Sequence, residues 1–161
     1  MHIGAHPQAG SGVVYVGAVP PLGRLDPAML RGAAQLAREF GDASLRFTPW
    51  QSLLLPNIRA EDAAEVIRQL HCLGLQCDAD QPLSRLIACT GSNGCGKGLA
   101  ETKGDALQLA TLLQRHGQTP SVHLSGCARS CAAAHTAPVT LLAVAPVTTI
   151  SIFAMQRCRV S

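Results

Sequence analysis

Four cysteines in two tight pairs are the residues best placed to do chemistry. Cys89 and Cys95 close the segment CTGSNGC, and Cys127 and Cys131 close CARSC, with thirty-one residues between the pairs. Both pairs sit in Gly-, Ser- and Ala-rich sequence, where backbone can wrap closely around a bulky group. Four thiolates at irregular spacing suit a [4Fe–4S] cluster. Structural zinc prefers pairs two to four residues apart, which the second pair satisfies and the first does not. Unrelated buried thiols are the third reading, since cysteine is a common core residue.

Other chemistry finds no grammar here. The six histidines show no HExxH-type spacing, and no phosphate loop or Ser–His–Asp pattern occurs. A net charge of +3 and an aromatic content of 3% give no basic patch or base-stacking platform for nucleic acid. Cys72, Cys77 and Cys158 fall outside the paired pattern and read as ordinary thiols. The opening MHIGAHPQAG shows no basic-then-apolar leader. Together with an odd, clustered cysteine count, this predicts a reducing, cytoplasmic setting. Ala132–Met155 carries no charge apart from His135. Pro138, Pro146 and abundant Val, Ile and Thr make it two buried strands with a turn at Pro146, not a membrane helix.

The elements that position the thiols follow from pattern. Residues 2–12 read as an irregular lead-in and Val13–Val19 as a strand. Pro20–Gly23 is a turn. Asp26 and Pro27 open a helix with Met29, Ala33, Leu36, Ala37 and Phe40 on one face, and Gly41 stops it. Ser44–Phe47 and Ser52–Ile58 are strands around TPWQ. A second helix carries Ala63, Val66, Ile67, Leu70 and Leu73, with Glu61 and Asp62 in its first turn and Gly74 at its end. This order is most of a split βαβ, ferredoxin-like unit. Asp78–Pro82 is the best boundary. Beyond it, Arg85–Ala88 is a strand delivering Cys89, Leu99–His116 a helix, and Ser121–Gly126 a strand delivering Cys127. Thr102, Ala106, Leu109, Ala110 and Leu113 are the inward residues of that helix. Each cysteine pair thus begins at a strand end, a common place for sites in α/β architecture.

C-x5-C followed at a distance by C-x3-C resembles the cluster-binding pattern of the sulfite and nitrite reductase superfamily. IACTGSNGCGKGLAETKGDALQLA, VHLSGCARSCA and LRFTPWQSLLLPNI resemble its precorrin-3B synthase branch. The resemblance implies an α+β chain: a ferredoxin-like half-repeat over 1–80, then an α/β [4Fe–4S] domain over 81–161 with an atypical tail after about residue 146. It implies Cys89, Cys95, Cys127 and Cys131 as ligands, with Cys131 facing a tetrapyrrole. In that branch the tetrapyrrole is the substrate precorrin-3A, hydroxylated with oxygen and closed to a lactone, with NADH as formal reductant. In the reductases it is siroheme. Arg46, Gln51, Lys97 and Arg129 lie in the matched motifs and are the expected partners of its carboxylates. Trp50 is either pocket or core, and His135 lies where the family often carries a histidine. The resemblance also implies an electron donor. Only the second, cysteine-bearing half of the family's repeat is present, which implies a separate polypeptide supplying the first.

Overall fold

A computed structural model describes residues 2–10, 12–133 and 137–146, and the backbone of 153–157. The chain divides into two compact units, 1–79 and 80–161.

Unit 1 is one antiparallel sheet with two helices. Its elements are β1 (Gly4–Pro7), β2 (Val13–Ala18), α1 (Pro27–Phe40), β3 (Arg46–Phe47), β4 (Leu53–Arg59) and α2 (Ala63–Cys72), and the strand order is β1-β2-β4-β3. Asp26 caps α1 as its sequence predicts, its carboxylate accepting from Ala28 N at 2.7 Å and Met29 N at 2.9 Å. Alternation along the strands sends Val16, Ala18, Leu53 and Leu55 into a core completed by Ala33, Leu36 and Ala37 from α1 and Val66 and Leu70 from α2. In β2 and β4 the inward set is one run of alternate side chains, broken where the register shifts between Val14 and Val16.

Three expectations for this unit need correcting. The lead-in is not irregular: β1 pairs with β2 from Gly4↔Gly17 to Pro7↔Val14, and cross-strand pairing overrides the poor strand propensity of Gly4 and Pro7. The third strand is only Arg46–Phe47, because Asp42 accepts from Ser44 N at 3.0 Å in a tight turn and Ala43 takes a φ of 63°. Glu61 and Asp62 precede α2 in a 3-10 turn, and their carboxylates pair with Arg59 at 3.2 and 2.7 Å.

Unit 2 holds β5 (Leu86–Ala88), α3 (Thr102–Arg115), β6 (Val122–Ser125), β7 (Val139–Ala143) and β8 (Phe153–Arg157). β5, β6 and β7 are adjacent and parallel, and β8 closes the order antiparallel to β7. All four residues of β6 are buried. α3 begins three residues later than its pattern predicts. Glu101 caps it through Gly104 N at 2.6 Å, while Leu99 N and the Ala100 carbonyl are held by loop hydrogen bonds instead. Thr102 and Ala106 are buried as expected. Leu109, Ala110 and Leu113 are only half-buried, and Leu107 and Leu112 are exposed. β7 and β8 supply the two strands expected within Ala132–Met155, but of β7 only Ala143 is fully buried. The turn at Pro146 runs into residues outside the described set. No described helix is long and apolar enough to cross a membrane.

Candidate cofactor site

Adjacent parallel strands bring their C-terminal ends to the same sheet edge, and here those ends carry the cysteines. Cys89 follows β5, and its N–H donates to Leu124 O at 3.1 Å, extending the ladder by one residue. Gly126 follows β6, and its N–H donates to Cys89 Sγ at 3.1 Å. The loop carrying Cys95 is tied down on both sides: Leu99 N donates to Gly126 O at 2.8 Å, and Ser92 N to Ala100 O at 2.8 Å. This packing needs glycine at 98, where an added Cβ would come within 2.5 Å of the Gly91 carbonyl carbon and 2.6 Å of Ser92 N. Within the loop, Cys95 N donates to Gly91 O at 3.0 Å and Gly98 N to Cys95 O at 2.8 Å. After β6, Ser125 Oγ donates to Cys127 O at 2.7 Å, and Ser130 adopts a φ of 50°. Cys89 and Cys127 are half-buried, Cys95 and Cys131 are exposed, and all four thiols are free.

The structure therefore joins the Cys89–Cys95 loop to the Cys127 loop through Gly126. Structural zinc would draw its ligands onto a single ion. A cluster makes a different demand, since its thiolates bind separate irons. Four free thiols on glycine-rich, backbone-tied loops fit that demand. The amide aimed at Cys89 Sγ fits it too, because hydrogen bonds to sulfur tune a cluster's potential.

The expected anion-binding residues lie on both units. Arg46 is exposed on β3, opposite Leu54 of β4. Its charge is the smallest of the influences lowering the Asp42 pKa, after hydrogen bonds from Ser44 and Asn57. Gln51 has a φ of 58°, and its side chain fills the space a Cβ on Gly23 would need. It lines a cleft of about 260 Å³ with Pro20, Leu25, Phe47 and Ser52. TPWQ is a turn held by Thr48, whose hydroxyl accepts from Trp50 N at 3.2 Å. Trp50 is not a core residue: it is 59% exposed. Lys97 and Arg129 are exposed in the two cysteine loops of unit 2.

Sequence reasoning passed over two groups. His2, His6 and Tyr15 form a ring cluster on unit 1, invisible until β1 is known to be a strand. His123 is buried in β6 with no hydrogen-bond partner for Nε2 among the described residues. Burial pulls its pKa below the usual histidine value. Of the remaining thiols, Cys72 is exposed, while Cys77 is buried and its pKa is pushed up to about 12 by desolvation. His135 and Cys158 lie outside the described residues.

Residues 6–72 match the family model of the nitrite/sulfite reductase ferredoxin-like half domain. Unit 1 is thus similar to a nitrite/sulfite reductase half domain. Similarity continues past this half domain. The chain is 38% identical over 135 residues to the chloroplastic ferredoxin–nitrite reductase of Zea mays, covering 81% of this chain and 24% of the maize protein. It is 32% identical over 148 residues to sulfite reductase [ferredoxin] 2 of Mycolicibacterium paratuberculosis, covering 87% of this chain and 26% of that protein. The structure of the Mycobacterium tuberculosis NirA protein superposes with a TM-score of 0.80 and 28% identity, over 96% of this chain and 30% of that one. The chain is thus related to the nitrite and sulfite reductases and spans about a quarter of the curated relatives it matches.

Proposed function

We propose that this chain is the cysteine-bearing part of a nitrite or sulfite reductase of the siroheme type. In this reading Cys89, Cys95, Cys127 and Cys131 hold a [4Fe–4S] cluster on unit 2, with Cys131 toward the tetrapyrrole. The observation that carries the reading is the Gly126 N–H donated to Cys89 Sγ, where the two cysteine loops meet at the ends of adjacent parallel strands. When bound, such a cluster supplies one-electron transfer. The chain's own residues hold its thiolates, direct an amide at one sulfur and offer cations to anions. Lys97 and Arg129, in the cysteine loops of unit 2, serve tetrapyrrole carboxylates or the anionic substrate, arginine gripping two oxygens at once, and Arg46 and Gln51 are a separate candidate pair for anionic groups on unit 1.

The relatives' names specify ferredoxin as electron donor, so a ferredoxin replaces NADH in this proposal. The rest of the reductase, including another half-repeat, comes from sequence beyond these residues or from a second polypeptide. The precorrin-3B synthase reading, with oxygen, NADH and precorrin-3A, retains only the likeness of the TPW and CTGSNGC segments. The relatives reported above are reductases, and the reductase reading accounts for them.

Anaerobic purification with iron and sulfide analysis tests the proposal. Wild type should be brown with about four irons and four sulfides per chain. Cys127→Ser and Cys131→Ser should lose both, while Cys72→Ser and Cys158→Ser keep them. Equal iron in all four variants, or a colourless protein with stoichiometric zinc and no sulfide, would refute it. Binding of siroheme in preference to a precorrin, in the presence of the missing half, would separate the two tetrapyrrole readings.

A further inference from the structure

We propose that His2 and His6 form a bis-imidazole site for a borderline divalent transition-metal ion, built on unit 1 alone and independent of the thiol chemistry. The His6 ring stacks on Tyr15, its cross-strand partner, with centres 5.1 Å apart and planes 23° apart. His6 Nε2 lies 2.8 Å from Ile3 O. A carbonyl only accepts, so Nε2 carries the proton and Nδ1 holds the free lone pair. His2 Nδ1 is hydrogen-bonded to the Tyr15 hydroxyl. Each imidazole therefore has one nitrogen engaged by the protein and the other without a hydrogen bond among the described residues. Metal-binding histidines commonly show this arrangement, in which an outer partner fixes ring and tautomer.

The spacing agrees. With metal–nitrogen bonds of about 2.0–2.1 Å, two imidazoles on one ion place their ring centres roughly 5 Å apart at a tetrahedral angle and about 6.5 Å apart when opposed. The His2 and His6 ring centres are 5.9 Å apart. The backbone at His2 lies close against β2, since His2 O occupies the space that a Cβ on Gly17 would need. No group of three His, Cys, Asp or Glu side chains forms here among the described residues. Water therefore completes the coordination, and imidazole donors select nickel, copper or zinc over magnesium or calcium.

Trp50 is the chain's single tryptophan, and its ring centre is 6.4 Å from that of His2. Its fluorescence reports occupancy. Titration of the cluster-free protein with Ni²⁺ should give saturable quenching. His2→Asn and His6→Asn should each weaken it by about tenfold or more, since losing a ligand costs at least as much as losing an outer partner. His116→Asn and Cys95→Ser should leave it unchanged. Far-UV circular dichroism establishes that each variant is folded, and His6→Gln replaces His6→Asn if the latter is not. Quenching that survives in His6→Gln, that disappears in Cys95→Ser, or that never saturates overturns the assignment. A protein that binds no iron but still shows the histidine-dependent quenching retains this site while losing the cluster proposal.

Discussion

Replacing His123 with leucine separates the effect of burial from that of protonation. The side chain is 1% exposed in β6, in register with Ile87 of β5 and Thr140 of β7, and Nε2 has no partner among the described residues. Desolvation lowers its pKa from 6.5, so the folded protein holds the neutral imidazole. Above pH 6.5 neither folded nor unfolded chain carries the proton, and the group adds no pH dependence. Below 6.5 the unfolded chain binds a proton that the folded chain refuses, so stability falls with pH until the folded pKa is reached. One proton sets the steepest slope, about 1.4 kcal/mol per pH unit. An unpaired buried polar atom costs about 1–3 kcal/mol, so leucine should stabilise by about 1 kcal/mol at pH 7.5 after imperfect repacking. The gap should widen further at pH 5.5, by no more than the one-proton slope allows. Urea unfolding followed by far-UV circular dichroism at both pH values measures it, and the other histidines are common to both proteins and cancel. An identical pH dependence in wild type and His123→Leu, or a variant less stable at both pH values, would refute the reasoning.

Further outcomes follow from single positions. Asp26→Ala removes both hydrogen bonds to the start of α1 and should cost about 1–2 kcal/mol in urea unfolding of unit 1. Gly98→Ala forces a Cβ onto the Gly91 and Ser92 backbone and should cost about 1–3 kcal/mol, with reduced iron incorporation. Gly126→Ala meets only ordinary contacts, the nearest being Cys89 Sγ at 3.4 Å, and should cost under about 1 kcal/mol while keeping iron; thermal melting and iron analysis compare the two. Gly17→Ala displaces His2 from β2 and should abolish nickel quenching of Trp50 while cluster content is unchanged.

What could be read in advance was what local chemistry dictates. Asp26–Pro27 and the apolar stripe behind them specify α1 without help from the rest of the chain. The cysteine spacing and its glycines identified both loops. What could not be read was set by partners distant in sequence. β1 is a strand only because β2 lies beside it. Leu99 and Ala100 look helical but are recruited by backbone groups of Gly126 and Ser92. Trp50 reads from sequence as either pocket or core, and it is the Thr48 turn that leaves it exposed instead of in the core. The amide aimed at Cys89 Sγ is a backbone feature with no side-chain signature.

The crossover from β5 through α3 to β6 has a consequence for the order of assembly. The two cysteine loops are neighbours only after that crossover has closed, and bringing distant segments together costs entropy that a single loop would not incur. Neither loop alone presents four donors to an incoming inorganic group. Under the proposed cluster reading, loading favours a unit whose parallel strands are already in register, so lesions in α3 or β6 should appear first as poor iron loading, ahead of any loss of secondary structure.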